Sequence, residues 1–265
     1  MNGQSDELTC FLSLQANTNN MEKIICGIQQ MGIGVPNVQE IWKWYRKFFG
    51  MNVRVFEEAA EAPLMTRYTG GQVHSRTATL ALSMEGGGGF EIWQFTSRQT
   101  EKPTFEVQAG DFGLYSCKMK SRDIKASFDF FKSNGAEIIG DLFKLPNGQA
   151  TFYTKDPNGN IFQVVEGRGY FRSTGHPSKC GGVAGSIIGV SDLEKSLVLY
   201  KDILGYDHVE YDVRKRRRAR QVFLQPLQDA GDQQRDHEPD DETAPLPEPA
   251  LVVPGQQPAE RQEED

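Results

Sequence analysis

Two stretches of this chain carry one pattern in one register. Gly34-Val35-Pro36-Asn37-Val38 leads into Trp44-Tyr45-Arg46-Lys47-Phe48-Phe49-Gly50, and Gly189-Val190-Ser191-Asp192-Leu193 leads into Leu199-Tyr200-Lys201-Asp202-Ile203-Leu204-Gly205. In both, a tyrosine stands eleven positions after the first glycine, and a second glycine closes the pattern five positions later. A weaker relative, Ser121-Arg122-Asp123-Ile124 with Phe130, Phe131 and Gly135, lies between them. Self-similarity at fixed spacing implies a reused strand-then-helix unit, so function is sought where such units meet.

Local chemistry fills in each unit. In the first, a strand over 24–35 precedes Asn37, a residue suited to cap a helix whose apolar positions Ile41, Trp44, Tyr45 and Phe48 recur at helical spacing. Gly50 ends that helix, where a left-handed residue is needed. Strands over 52–57, 77–84 and 90–95 complete a β-α-β-β-β order, with Gly86–Gly89 as a hairpin turn. That glycine run lacks the Lys-Ser/Thr of a phosphate loop and leads into a strand, which argues against nucleotide binding. The second unit repeats the order: a strand over 114–120, a helix over 123–134, a short strand near 137–139, and a hairpin of 151–155 and 161–165 around Asp156-Pro157-Asn158-Gly159. The third begins with a strand over 186–190, a capping box at Ser191-Asp192-Leu193-Glu194, a helix, and a strand over 208–213. There the pattern stops.

From Arg214 onward one phenylalanine, Phe223, stands among Gln, Pro, Asp, Glu and Arg, a composition too poor in apolar surface to offset ordering entropy. Residues 214–265 are therefore expected to be disordered. They are either a natural acidic linker or the product of a frameshift near codon 213, and the frameshift is favoured because the break falls inside a repeating unit. Residues 1–23 are expected to be a disordered or non-native extension, since Met21 directly precedes a natural opening to the first strand. The net charge of −7 excludes a general nucleic-acid binder. No apolar run approaches a membrane span, and no signal-peptide core is present. Four scattered cysteines, Cys10, Cys26, Cys117 and Cys180, point to a reducing cytoplasm rather than a disulfide frame or zinc site.

On Val-x-Asn/Asp-Val/Leu before each helix, Tyr-x-x-x-x-Gly at helix ends and Asp156-Pro157-Asn158-Gly159-Asn160 before a final strand, the chain resembles the vicinal oxygen chelate superfamily. That family includes glyoxalase I, extradiol dioxygenases and bleomycin-resistance proteins. The resemblance covers residues 24–213. It implies an α+β fold in which tandem βαβββ modules (24–97 and 110–168) pair into one curled mixed sheet. A truncated further module would occupy 182–213. The resemblance also implies a cup-shaped site with a divalent metal on inner strand faces. Carried over by position, the ligands fall on Gln30 and Glu91 in the first module, which match glyoxalase I, and on Ser116 and Gln163 in the second. There, metal-binding relatives have histidine and often glutamate. In the third unit the position is Gly185.

Strand alternation independently groups these residues. Met31, Ile33 and Val35 suit packing against a helix and leave Gln30, Gly32 and Gly34 facing the cup. Tyr115, Cys117 and Met119 likewise leave Ser116, Lys118 and Lys120 there, and Glu91 shares its face with Trp93 and Phe95. Two amides, a carboxylate and a hydroxyl would hold a metal loosely. Lys118 offers another arrangement: it could pair with Glu91, or act as a fixed positive charge for an anionic substrate. Glu91 beside Trp93 suits a general base on a carbon acid. Trp42, Trp44, Phe48 and Phe49 read as core, and His74 as exposed or structurally bonded.

The first expectation is a cytoplasmic glyoxalase-like lyase or isomerase. It would use proton transfer on a small oxygenated metabolite, with Glu91 and Lys118 catalytic and Gln30, Trp93, Ser116 and Gln163 binding substrate. Gln30 and Glu91 would also hold any divalent metal. The second is a non-catalytic module that sequesters a small compound, as bleomycin-resistance proteins do. Extradiol dioxygenase ranks third, since iron there needs two histidines. Partners are a small molecule and a second copy in a homodimer, with no nucleic acid and no membrane.

Overall fold

A computed structural model describes residues 28–206, 208–212 and the backbone of 250–254. The expectations for 1–23 and for most of 213–265 lie outside these residues. The first module is β1 (Gln30–Gly34), α1 (Val38–Phe49), β2 (Val53–Glu61), a short 3-10 helix (Pro63–Tyr68), β3 (Ser75–Leu82) and β4 (Gly89–Phe95). The second is β5 (Gly113–Ser121), α2 (Ile124–Ser133), β6 (Glu137–Lys144), β7 (Ala150–Lys155) and β8 (Ile161–Glu166). The third unit supplies β9 (Cys180–Gly189), α3 (Leu193–Leu197) and a run of wider π turns (Val198–Ile203).

Repetition in sequence becomes repetition in geometry at the helix starts. Asn37, Asp123 and Asp192 adopt nearly the same extended backbone, with φ −148°, −146° and −147°. Each side chain accepts from the backbone N–H three residues on. The third cap is thus Asp192, one residue after the Ser191 expected to open a capping box. Gly50 closes α1 at φ 63°, a left-handed conformation that favours glycine.

Both complete modules show the βαβββ order, with the first strand parallel to the last: β1 to β4 and β5 to β8. The strand arrangement is β1-β4-β3-β2 in one sheet; in the other, a further strand β10 (Ala250–Pro254) heads the order β10-β9-β5-β8-β7-β6. Modules one and two therefore do not share a sheet. The larger mixed sheet joins module two to the third unit, because β9 pairs antiparallel with β5. What binds module one to module two is the helical side of each sheet. Trp44, Phe48 and Phe49 of α1 meet Phe131 of α2, and Tyr45 and Phe49 meet Phe162 of β8. These rings, with Ile33, Ile92, Cys117, Met119 and Val164, form one core. Each fully buried side chain there contributes on the order of 1.5–3 kcal/mol.

Two expectations about the third unit change. Residues 208–212 form no strand. Within the stretch expected to be disordered, residues 250–254 form β10 (Ala250–Pro254), which pairs antiparallel along Gly185–Gly189 of β9. The edge of β9 opposite β5 is covered this way. The helical part of the third unit is little buried: α1 buries six residues, whereas α3 and the π turns bury none.

Candidate functional site

Two polar faces result, one per sheet, and each points away from the shared helical core. On the first sheet Phe90 and Ile92 face that core, so alternation turns Glu91 and Trp93 outward. Gln30 Nε2 donates to Glu91 Oε2 at 2.6 Å. Across β4, Glu91 sits opposite Gly32 and Trp93 opposite Gly34. Among the described residues, a Cβ atom at either glycine would meet nothing within 4 Å, which leaves space beside Glu91 and Trp93.

Sequence reasoning missed Arg76 on this face. Its guanidinium lies 4.9 Å from the centre of the Trp93 ring. Its Nη atoms donate to Glu58, while its Nε is buried without a partner. The signal was available in the alternation Arg76, Ala78, Leu80, Leu82, which puts one cation at the end of an apolar row. His74 is structurally bonded as expected: Nδ1 meets Ser97 Oγ at 3.0 Å, and its ring stands edge-on to Phe95.

The second sheet carries the rest. Cys117, Met119, Phe162 and Val164 face the core, which leaves Ser116, Lys118 and Gln163 on the opposite face. Lys118 is directly across from Gln163 in the parallel register of β5 and β8. All three are buried, at 4%, 3% and 1% exposure. Ser116 Oγ and both amide atoms of Gln163 have no hydrogen-bond partner among the described residues. Burial draws the Lys118 ammonium below its ordinary pKa, and the nearby Glu210 charge opposes that shift. Tyr153 continues the row beyond Gln163, with the Phe143 ring stacked on it.

The six predicted residues are therefore brought together in two groups rather than one. Gln30, Glu91 and Trp93 share one face, and Ser116, Lys118 and Gln163 the other. The expected Lys118–Glu91 pair does not form, because Glu91 is bonded to Gln30 and the acid acting on Lys118 is Glu210. The reason is topological: β5 is paired to β9, not to β1.

The metal ligands implied by the resemblance are divided in the same way. The first face offers one carboxylate and one amide. The second offers a hydroxyl, an amide and an ammonium. Among the described residues no group of three His, Cys, Asp or Glu converges, and the donors on each face alone are fewer than a firm divalent site uses. The two described thiols do not substitute. Cys117 and Cys180 are buried, and burial pushes both up, Cys180 to about 12, which leaves them unreactive.

A family model for the Glyoxalase/Bleomycin resistance protein/Dioxygenase superfamily matches residues 27–164. With the βαβββ modules, this makes the chain a member of that superfamily. No curated protein sequence matches it. Among solved structures it is similar to a putative dioxygenase from Bacillus subtilis, at 15% identity and TM-score 0.53, over 72% of this chain and 58% of that one. It is also similar to a glyoxalase family protein from Bacillus cereus, at 15% identity and TM-score 0.46, over 56% of this chain and 97% of the other. Glyoxalase I from Zea mays aligns at 16% identity and TM-score 0.42, over 68% of this chain and 55% of the maize protein. The chain thus spans little more than half the length of the maize and B. subtilis proteins. Among the described residues no helix is long and apolar enough to cross a membrane.

Proposed function

We propose that this protein acts on a small oxygenated metabolite by proton transfer, as a glyoxalase-like lyase or isomerase, with Glu91 as the base. The observation that carries this reading is the Gln30–Glu91 hydrogen bond on an open face. Gln30 fixes the carboxylate's orientation. The side-chain-free strip at Gly32 and Gly34 leaves room for a substrate to present a C–H to Glu91. Trp93 supplies an apolar platform that limits water at the reacting carbon. Arg76, stacked on Trp93 and paired with Glu58, puts a cation at the far end of the substrate, where a negative oxygen would compete with Glu58 for it. We place the protein in a reducing cytoplasm, with a second copy as its partner in a homodimer. Members of the family commonly bind a divalent metal. The donors on each face alone do not complete such a site, and no step here is routed through one.

The test is proton–deuterium exchange, followed by NMR in heavy water, on a panel of small hydroxy-aldehydes and hydroxy-ketones. Exchange catalysed by the full chain and slowed about tenfold in Gln30→Leu supports positioning of the base. Absence of exchange across the panel refutes proton transfer.

Binding without chemistry, of the bleomycin-resistance type, is the second reading, and Arg76 over Trp93 favours it as a receptor for an aromatic anion. It predicts a ligand-induced rise in melting temperature that survives Glu91→Gln and is lost in Trp93→Ala. Extradiol dioxygenase chemistry has no support from the donors, since no histidine stands at a mapped position.

A further inference from the structure

The outer face of the second sheet is buried although the shared core lies on its other side, so part of the chain must cover it. One row of side chains crosses this face from strand to strand: Lys118 on β5, Gln163 on β8, Tyr153 on β7 and Ile139 on β6. At the aromatic end of the row Tyr115, Ile139, Tyr153 and Ile187 form a second small core. Val107 and Ala109, from the linker between modules one and two, pack against it. The polar end, at Lys118, is buried just as deeply.

We propose that residues 208–212 are a strap that closes the polar end of this face, with Glu210 set over Lys118 and Tyr211 over Tyr153, and that it has to lift before any solute reaches the face. Burial locates the strap. Glu210 and Tyr211 are half-buried, while His208, Val209 and Asp212 on either side are exposed. The stretch therefore turns two consecutive residues inward, and these are the two whose electrostatic effect reaches the row. Glu210 acts on Lys118 and Tyr211 on Tyr153. Burial, and then the adjacent Glu210, pushes the Tyr211 phenol up to about 12. Lys118 and Tyr153 lie two strands apart, about 10 Å, a gap that neighbouring Glu and Tyr side chains can bridge. Upstream, Gly205 at φ 74° ends the helical turns, and the Tyr206 N–H donates to Tyr200 O, which releases the chain from the helix just before the strap.

The strap is built to open. Ser116 Oγ and both amide atoms of Gln163 have no hydrogen-bond partner among the described residues. Closure thus buries polar atoms without hydrogen bonds, a cost that water entering the opened face removes. Lys118 adds to it, because burial disfavours its charged form. Against these stand the Glu210 charge and the Tyr211 ring, so the third unit keeps the second face shut by a small margin.

Lysine labelling measures how often Lys118 is uncovered. The full chain is pulsed with an acetylating N-hydroxysuccinimide ester and read by peptide mass spectrometry. In wild type, Lys118 should react at least about 100-fold more slowly than the exposed Lys125. Tyr211→Ala should speed Lys118 at least about tenfold and leave Lys120 unchanged, since Lys120 is held by Gly86 O and Gly169 O. Tyr211→Phe keeps the ring and should label like wild type. Unchanged Lys118 labelling in Tyr211→Ala overturns the strap, and so does a rise that Lys120 shares equally, the sign of general loosening. Wild type alone decides if Tyr211→Ala does not fold. Its Lys118 labelling should then rise only shallowly with sub-denaturing urea, as local opening does, and a slope equal to that of global unfolding overturns the proposal. Glu91 enters neither measurement, so the outcome stands whatever becomes of proton transfer on the first face.

Discussion

Tyr45 and Asp156 stand 111 residues apart in sequence and are joined by a hydrogen bond of 2.6 Å, from the phenol of one to the carboxylate of the other. The repeat's signature tyrosine thus acts as a staple between modules. Asp156 also accepts from Asn158 and Asn160, so one carboxylate organises the Asp-Pro-Asn-Gly turn and receives α1. Burial and the neighbouring carboxylate both raise the Tyr45 pKa, which keeps it a donor. Tyr45→Phe should cost about 1–3 kcal/mol, read as a lower urea midpoint at unchanged slope.

A second buried carboxylate ties down the linker into the third unit. Glu85 accepts from Arg122 at 2.6 Å and from the Thr174 hydroxyl at 2.6 Å, with the Thr174 N–H as a further donor. Burial works against its charge, but the Thr174 and Arg122 bonds outweigh that, and its pKa lies below the ordinary glutamate value. A depressed folded pKa gives stability that is present above the unfolded value and is lost as pH falls through the folded one. Melting followed from neutral to acid pH should therefore show a loss in that window. Glu85→Gln should lack this component and be less stable by about 1.5–3 kcal/mol at pH 7.

The third unit exposes apolar surface on its helical turns. Val198, Leu199 and Ile203 are 51%, 46% and 67% exposed there. Ile203→Glu should leave stability within about 0.5 kcal/mol and reduce concentration-dependent association, measured by light scattering. Equal association in both proteins would show that this surface is not the cause.

The parts legible in the sequence were those fixed by local chemistry. Asn37, Asp123 and Gly50 announced helix ends, and alternation along β5 put Ser116 and Lys118 on one face. Alternation names a face but not the strand next door, so it could not tell that β5 would pair with β9 instead of β1. That choice splits the predicted site in two, and it depends on contacts between distant segments. Arg76 was overlooked because nearby residues on its face are apolar and its role appears only once Trp93 lies beside it. The strand over 250–254 was hidden by a Pro- and Glu-rich surround, its one clue being the short run Leu251-Val252-Val253. The strand expected over 208–213 does not form across the described residues 208–212, since a β-like run does not by itself make a strand.

The claim that Glu91 moves a proton, held by Gln30 2.6 Å away, is tested most directly by substituting the carboxylate and nothing else. The measurement is the rate of substrate C–H exchange into heavy water for wild type and Glu91→Gln, at matched protein concentration and with melting curves confirming that both are folded. The account predicts a fall of about 10²–10⁴-fold in the variant. Equal rates in the two proteins would contradict it.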